Sequence, residues 1–415
     1  MPDVRGMDDL LADVTSKTAL SPAVAEAFRT VPRHQFLDAV YVRQQLHTPL
    51  YPVPVTELPP VLASWDRVDP EDQETWFGLV YRDTTLVTLL DSQGIPMSSS
   101  TAPWLMATML EYLDVRSGDR VLEIGTGTGY NAALLSSLVG PHGQVITVDI
   151  DPVVVEAAAP RLASRANVSV VTADGWHGYA PSAPYDKVIS TAGLSCLCPE
   201  WIDQVRTGGL FLGSLQTSFA QGLARLTRLS DPPRLAGEMV NGLNGAGFIV
   251  LRSSHPCGNI VFIDDHGETR LDGSLVRVLE SAEAGPLVLV PPELGHLLLT
   301  VQSDFMLLLQ LACPDFDFVR LGSVGSISPE YLLILSGEHS AVLRPKENGS
   351  PGLRGHRSIA DECNRVFRQW LSLGRPTTTD YKVALHGDGE VSMSVRDTRL
   401  RARLYECKSL GTTAS

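Results

Sequence analysis

Lysine is scarce in this chain. Only five of its 33 basic residues are lysine, and 47 acidic residues leave a formal net charge of -14. A grip on a phosphate backbone needs an excess of Lys and Arg, so no nucleic-acid partner is expected. Cysteine is sparse too, at positions 196, 198, 257, 313, 363 and 407, with no CxxC pair. Cys196-x-Cys198 alone is a poor metal or disulfide frame, so reduced thiols and no metal site are expected. No run of about 18 apolar residues occurs, which argues against a membrane-spanning helix. The opening MPDVRGMDDLLADV carries acids where a secretory signal carries bases. The expected setting is the cytoplasm, without a membrane partner. Oligomeric state stays open.

What is present reads as globular protein. The 415 residues, 44% hydrophobic and 19% charged, are enough for two domains that each bury a core. Ser21-Pro22 opens a helix, with a capping hydroxyl and proline in the first turn. Residues 46–77 are rich in proline, interleave Trp65 and Trp76, and hold no sustained period; they read as an inserted irregular loop or lid. From Arg120 the pattern alternates: RVLEIG, QVITVDI, VSVVTA, KVISTA and GLFLGSL as strands, with YNAALLSSLV and PVVVEAAAPRLA as helices. That alternation argues for a parallel, doubly wound α/β sheet. Beyond about residue 255 the texture changes. HPCGNIVFID, PLVLVPP, FMLLLQLACP, EYLLILSG and SAVLRP read as short strands, one amphipathic helix spans about 358–373, and DYKVALHG and RLRARLYEC read as strands again. The expected division is a catalytic domain over 1–255 and an α+β domain over 256–415.

The strongest local chemistry is VLEIGTGTGY, residues 121–130. A strand ends at Glu123-Ile124, and glycines at 125, 127 and 129 permit a tight turn that a ligand can approach closely before a helix begins. Such a turn serves dinucleotides and S-adenosylmethionine alike. The GxGxG spacing, in place of GxGxxG, favours S-adenosylmethionine. Asp149 ends the next strand, where a carboxylate can bridge ribose hydroxyls. Asp174, in Ala173-Asp174-Gly175, ends the following strand; it suits either the adenine side of that site or a simple Asx-turn.

At these residues the chain resembles the protein-L-isoaspartate (D-aspartate) O-methyltransferases. ADGWHGYAPSAPYDKVISTAG (173–193), PEWIDQVRTGGLFLGSL (199–215) and VPRHQFL (31–37) are similar to that family's segments, and the likeness runs over about residues 20–225. The resemblance implies a Rossmann-like S-adenosylmethionine-dependent methyltransferase domain. The family's active-site hydroxyl lies in a Thr-Ile-Ser-x-Pro stretch, whose five positions are occupied here by Ser99-Ser100-Thr101-Ala102-Pro103. Thr101 thus stands where the family has serine and Ser99 where it has threonine, and these are the implied catalytic hydroxyls. The implied cofactor contacts are Ser100, Trp104, Glu123, Gly125, Thr126, Gly127, Asp149, Ile150, Asp174, Gly175 and Gln221. Thr101 also reads as the N-cap of the helix that follows, with Pro103 in its first turn. Trp176, His177 and Tyr179 suit either the acceptor side or ordinary packing.

The chemistry implied is methyl transfer to a carboxylate. A carboxylate with a pKa near 4 is ionised at neutral pH, so no strong base is required, and positioning supplies most of the acceleration. Three departures from the repair enzymes stand out: threonine for serine at 101, the 46–77 stretch, and the long C-terminal half. The enlarged chain resembles the branch associated with ribosomally synthesised, post-translationally modified peptides (lanthipeptides, lasso peptides, graspetides). FRQWLSLGRPTTTDYKVAL (367–385) is similar to a segment of that branch. The resemblance then implies, as substrate, a modified precursor peptide whose ordinary aspartate is esterified on the way to aspartimide or isoaspartate. An isoaspartyl repair enzyme and a binding protein that keeps the fold without turnover remain the other readings.

Overall fold

The structure, a computed structural model, describes residues 4–43, 65–92, 94–194, 197–216, 221–242, 248–249, 251–252, 281–299, 304–313, 316–321, 331–347, 350–389, 391–395 and 398–400. Two helices come first, α1 (Val4–Lys17) and α2 (Pro22–Thr30). The Ser21 hydroxyl accepts from the Val24 N–H, and Pro22 sits in the first turn. A small antiparallel sheet follows: β1 (Val40–Arg43), β2 (Trp65–Val68), β3 (Leu86–Leu90) and β4 (Pro96–Ser100), in the order β2-β1-β3-β4. Helix α3 (Gln73–Val80) joins β2 to β3.

Residues 65–77 are therefore not the irregular loop that their sequence suggests. Residues 65–68 pair along β1, and Asp72 caps α3 by accepting from the Thr75 N–H. Trp76 and Val80, one turn apart, are buried. The prolines at 49, 52, 54, 59 and 60 that break the period all come earlier, and 44–64 lie outside the described residues.

The main sheet begins after helix α4 (Pro103–Leu113). It carries β5 (Arg120–Ile124), β6 (Gln144–Asp149), β7 (Val168–Thr172), β8 (Tyr185–Leu194) and β9 (Val205–Gln216), all parallel. Helices α5 (Tyr130–Val139), α6 (Pro152–Leu162) and α7 (Glu200–Gln204) make crossovers. Two antiparallel strands, β10 (Gln221–Ser230) and β11 (Pro233–Gly242), extend it. The chain runs β5 to β6 to β7 on one side and then returns to lay β8 on the other side of β5. That reversal opens a crevice at the carboxyl ends of β5 and β8, where doubly wound sheets bind ligands.

The C-terminal half forms a second, five-stranded antiparallel sheet. It contains β12 (Leu287–Leu289), β13 (Asp317–Leu321), β14 (Tyr331–Ser336), β15 (His339–Glu347) and β16 (Ser350–Gly355). Helices α8 (Pro292–Leu299), α9 (Asp304–Ala312) and α10 (Arg357–Ser372) accompany it. The last strands, β17 (Tyr381–His386), β18 (Val391–Val395) and β19 (Thr398–Leu400), return to the main sheet, β17 pairing along β11. Sheet and core thus continue across residue 255: Leu122 and Ile124 belong to the same buried cluster as Phe305 and Trp370. FMLLLQLACP, expected as a strand, is helix α9. Its apolar run is rich in Leu and Met, with no β-branched residue, and those are strong helix formers; Phe305 through Leu309 are all buried. HPCGNIVFID and the end of RLRARLYEC lie outside the described residues.

One buried cation ties the small sheet to the start of α4. Arg33 is fully buried and donates to the carbonyls of Val80, Arg82, Thr84, Ser100 and Thr101 and to the Ser100 hydroxyl, at 3.0–3.2 Å. Burial pushes its guanidinium down to about 10, opposed by Tyr130 and Asp83, so it remains a cation at neutral pH. Removing it strands several buried acceptors, each costing about 1–3 kcal/mol. Arg33→Met is accordingly expected to lose more than about 3 kcal/mol of stability in denaturant unfolding, whereas a loss under about 1 kcal/mol contradicts this role.

Candidate active site

The crevice at the β5/β8 reversal is a half-open cleft, lined by β4, the ends of β5, β6 and β8, and residues 248, 249, 251 and 252. Its back wall is the glycine turn after β5. Gly125, Gly127 and Gly129 all take positive φ, at 98°, 50° and 84°, a region L-residues avoid. A Cβ at Gly125 would meet the Thr191 hydroxyl at 2.9 Å, and one at Gly127 would meet the Ser99 carbonyl at 3.4 Å. The turn is thus packed tightly on β8 at Thr191 and faces the Ser99 carbonyl of β4. The hydroxyl stretch is a strand, not the loop of a helix start.

Thr101 does not cap α4. The N-cap is Ala102, with no side-chain hydrogen bond, and the Trp104 N–H donates instead to Asp83 Oδ1 at 2.8 Å. The chain's own carboxylate takes the anion's place at that helix N-terminus. Released from capping, Thr101 lines the cleft with Ser98 and Ser99. The Ser100 hydroxyl also borders it but accepts from Arg33 Nε at 3.2 Å.

Two carboxylates form the floor and side. Glu123 is fully buried, accepting from Asn131 Nδ2 and from the Thr147 hydroxyl at 2.7 Å each. Thr147 lies 2.8 Å from Thr126, which completes the row. Burial pushes Glu123 up to about 7; its two hydrogen bonds oppose this and nearby Asp149 adds to it. Asp149 accepts from the N–H groups of Asp151 and Gly127 at 3.1 and 3.2 Å. Its carboxyl is also raised by burial, with those two bonds and Arg252 pulling it down.

Of the residues expected at a site, the cleft gathers Ser99, Ser100, Thr101, Glu123, Gly125, Thr126, Gly127, Asp149, Ile150 and Gly175. Trp104 and Asp174 are not in its lining. The Asp174 carboxylate accepts from the Trp176 N–H at 3.0 Å, the Asx-turn arrangement. Gln221 opens β10 opposite Gln216, with its side chain outside the described residues. Trp176 packs against Trp201, His177 pairs with Glu200, and the Tyr179 N–H binds Gln204; none of the three lines the cleft.

Sequence reasoning missed Thr191, whose position at the carboxyl end of a parallel strand was a usable signal. Its hydroxyl donates to the Ile124 and Gly125 carbonyls at 3.1 and 2.7 Å. It also missed Phe248, Ile249, Leu251 and Arg252, which wall the open side. That segment is held to β8 by Gly193 N–H to Ile249 O (2.9 Å) and Leu251 N–H to Gly193 O (2.8 Å). No local motif announced a contact between residues so distant in sequence.

Residues 66–242 match the family model described as Protein-L-isoaspartate(D-aspartate) O-methyltransferase (PCMT). The chain is 43% identical over 114 residues to the protein-L-isoaspartate O-methyltransferase of Ignicoccus hospitalis, covering 27% of this chain and 54% of that protein. It is 32% identical over 206 residues to the enzyme of that name from Thermotoga maritima, covering 49% and 53%. The chain thus spans about half the length of these curated relatives. A solved structure titled protein-L-isoaspartate O-methyltransferase is similar over 94% of this chain and 99% of that one, with a TM-score of 0.50 and 22% identity. At that identity the likeness is one of fold: a Rossmann-like methyltransferase sheet with added C-terminal α/β structure.

The raised Glu123 has a consequence for stability. Between about 4.5 and about 7 the folded chain holds a proton there that the unfolded chain has lost, so this group's contribution falls as pH rises through that window. Glu123→Gln resembles the protonated form. Comparing denaturant unfolding at pH 5 and pH 8, the variant is expected to gain on the wild type at the higher pH; an equal gap at both pH values contradicts the raised carboxyl.

Proposed function

We propose that the chain is an S-adenosylmethionine-dependent carboxyl O-methyltransferase acting on an aspartyl-type carboxylate of a peptide. The observation that carries this reading is that the glycine turn and the hydroxyl strand line one cleft, with the Ser99 carbonyl facing Gly127. It sets a cofactor cradle and a row of neutral donors on one cleft. The cradle suits an adenosyl ligand: side chains are absent where the backbone must be approached, and Asp149 stands at the next strand end to accept from ribose hydroxyls. When bound, S-adenosylmethionine supplies an electrophilic methyl on a sulfonium.

The chain's own work is positioning. The acceptor carboxylate arrives ionised, so the absence of His and Cys from the described lining costs nothing. Ser99 and Thr101 hydroxyls donate to it and orient one oxygen for attack. Glu123 and Asp149, both held away from bulk water, keep the cofactor side of the cleft rich in acceptors. Strand β4 cannot drift, because Arg33 binds the Ser100 and Thr101 carbonyls.

For the acceptor we infer the ordinary aspartate of a modified, cyclised peptide. The departure to Ser99-Ser100-Thr101 and the likeness of the 367–385 segment support it. In the ester so formed, the next residue's amide nitrogen attacks the carbonyl and methanol leaves, giving aspartimide; water then yields isoaspartate. A second reading, repair of isoaspartyl sites in proteins, draws on the likeness to a solved enzyme of that name along 94% of the chain. A long C-terminal half does not by itself separate the two.

Mass spectrometry separates them. With S-adenosylmethionine present, a constrained peptide bearing Asp before Gly is expected to gain a methyl and then lose methanol, faster than an isoaspartyl peptide gains one. Methylation of the isoaspartyl peptide alone favours repair, and methylation of neither defeats both. Thr101→Ala is expected to slow transfer at least tenfold, on the order of one lost charge-assisted hydrogen bond, while S-adenosylhomocysteine affinity holds. Asp149→Ala is expected to weaken that affinity instead; an unchanged affinity removes Asp149 from the cofactor side.

A further inference from the structure

The cleft is built for an anionic acceptor, yet its described lining is short of positive charge. Glu123 and Asp149 are acids, and Ser98, Ser99 and Thr101 are neutral donors. Neutral hydroxyls bind a carboxylate more strongly than a carboxamide, but they bring no charge to offset the anion's lost hydration. Arg252 is the single basic side chain in that lining.

Its placement is fixed from the backbone upward. Phe248 is buried, and Ile249 and Leu251 bond to Gly193 of β8, which leaves Arg252 at the mouth. Its guanidinium reaches Asp151 Oδ2 at 3.3 Å and the Met97 carbonyl at 3.5 Å. Met97 immediately precedes the hydroxyl row, so the cation stands beside Ser98 and Ser99. Both contacts are long, and together they engage two of five N–H donors. Asp151 is shared as well, its other oxygen capping α6 by accepting from the Val153 N–H. The side chain keeps 34% of its surface exposed, so an arriving ligand can reach it.

We propose that Arg252 is the specificity-determining residue for the acceptor, gripping the carboxylate that is to be methylated and so distinguishing Asp from Asn. The proposal rests on the carboxyl-methyltransferase reading above. One acceptor oxygen takes a guanidinium N–H while the other remains for attack, with Thr101 bracing it. A planar fork suits a carboxylate better than an ammonium does. Asp151 then serves as the placeholder that keeps the guanidinium aimed at the cleft when no peptide is present.

Binding and turnover are measured together on the full chain. With S-adenosylhomocysteine present, calorimetry compares an Asp peptide with its Asn counterpart for wild type, Arg252→Met and Arg252→Lys; methyl transfer to the Asp peptide gives KM and kcat. The wild type is expected to prefer Asp at least tenfold. Arg252→Met is expected to lose that preference and raise KM by a similar factor, with S-adenosylhomocysteine affinity unchanged, and Arg252→Lys to recover part of both. An Arg252→Met enzyme that keeps its KM and its Asp preference overturns the proposal while leaving the methyltransferase reading intact. So does one whose defect is matched by Asp151→Asn and accompanied by weaker S-adenosylhomocysteine binding, because the residue is then only a brace. A wild type that methylates neither the Asp peptide nor an isoaspartyl peptide overturns the underlying reading itself.

Discussion

A single buried guanidinium holds the cleft in shape. Arg33 comes from a short turn after α2, far from the glycine loop in sequence, and collects carbonyls from the end of α3, the turn before β3 and the end of β4. Without it, β4 has a partner on one flank, β3, and little to set the depth at which its hydroxyls sit. With it, the strand that carries Ser98 to Ser100 holds the Ser99 carbonyl where a Cβ on Gly127 would just touch it. A buried ion so fully hydrogen-bonded specifies one geometry. That geometry is what the chemistry needs.

The remaining polar groups follow from the same closure. Glu123, near the end of β5, is fully buried, and the loss of water pushes its carboxyl up to about 7. Because the N-terminus of α4 is already satisfied by Asp83, Thr101 has its hydroxyl to spare. Thr101 is released from structural duty by Asp83, while Glu123 and Asp149 keep theirs.

Much of this was legible in the sequence, and the reasons for the failures are physical. The alternation of strands and helices from Arg120 announced the parallel sheet, and the glycine spacing announced the turn, because both are local signals. Strand β4 is hidden in the sequence, since Pro96-Met97-Ser98-Ser99-Ser100 holds no β-branched or aromatic residue. Thr101 was expected to cap α4 because a hydroxyl before Ala-Pro is a good local cap; Asp83, 18 residues earlier in sequence and at the same place in space, wins instead. Helix α9 reads as a strand because its uninterrupted apolar run, Phe305 to Leu309, is too short to show a period. The return of β17 to β11 and the arrival of 248–252 over the cleft are long-range pairings that no local pattern encodes.

The central claim is that β4, the glycine turn and the 248–252 segment form one ligand site. Amide hydrogen exchange with and without S-adenosylhomocysteine tests it most directly. The ligand is expected to slow exchange together in residues 97–101 and 125–129 and at Phe248, Ile249, Leu251 and Arg252, and to leave the five-stranded C-terminal sheet unchanged. Protection confined to the C-terminal sheet, or none in the glycine turn, would contradict it.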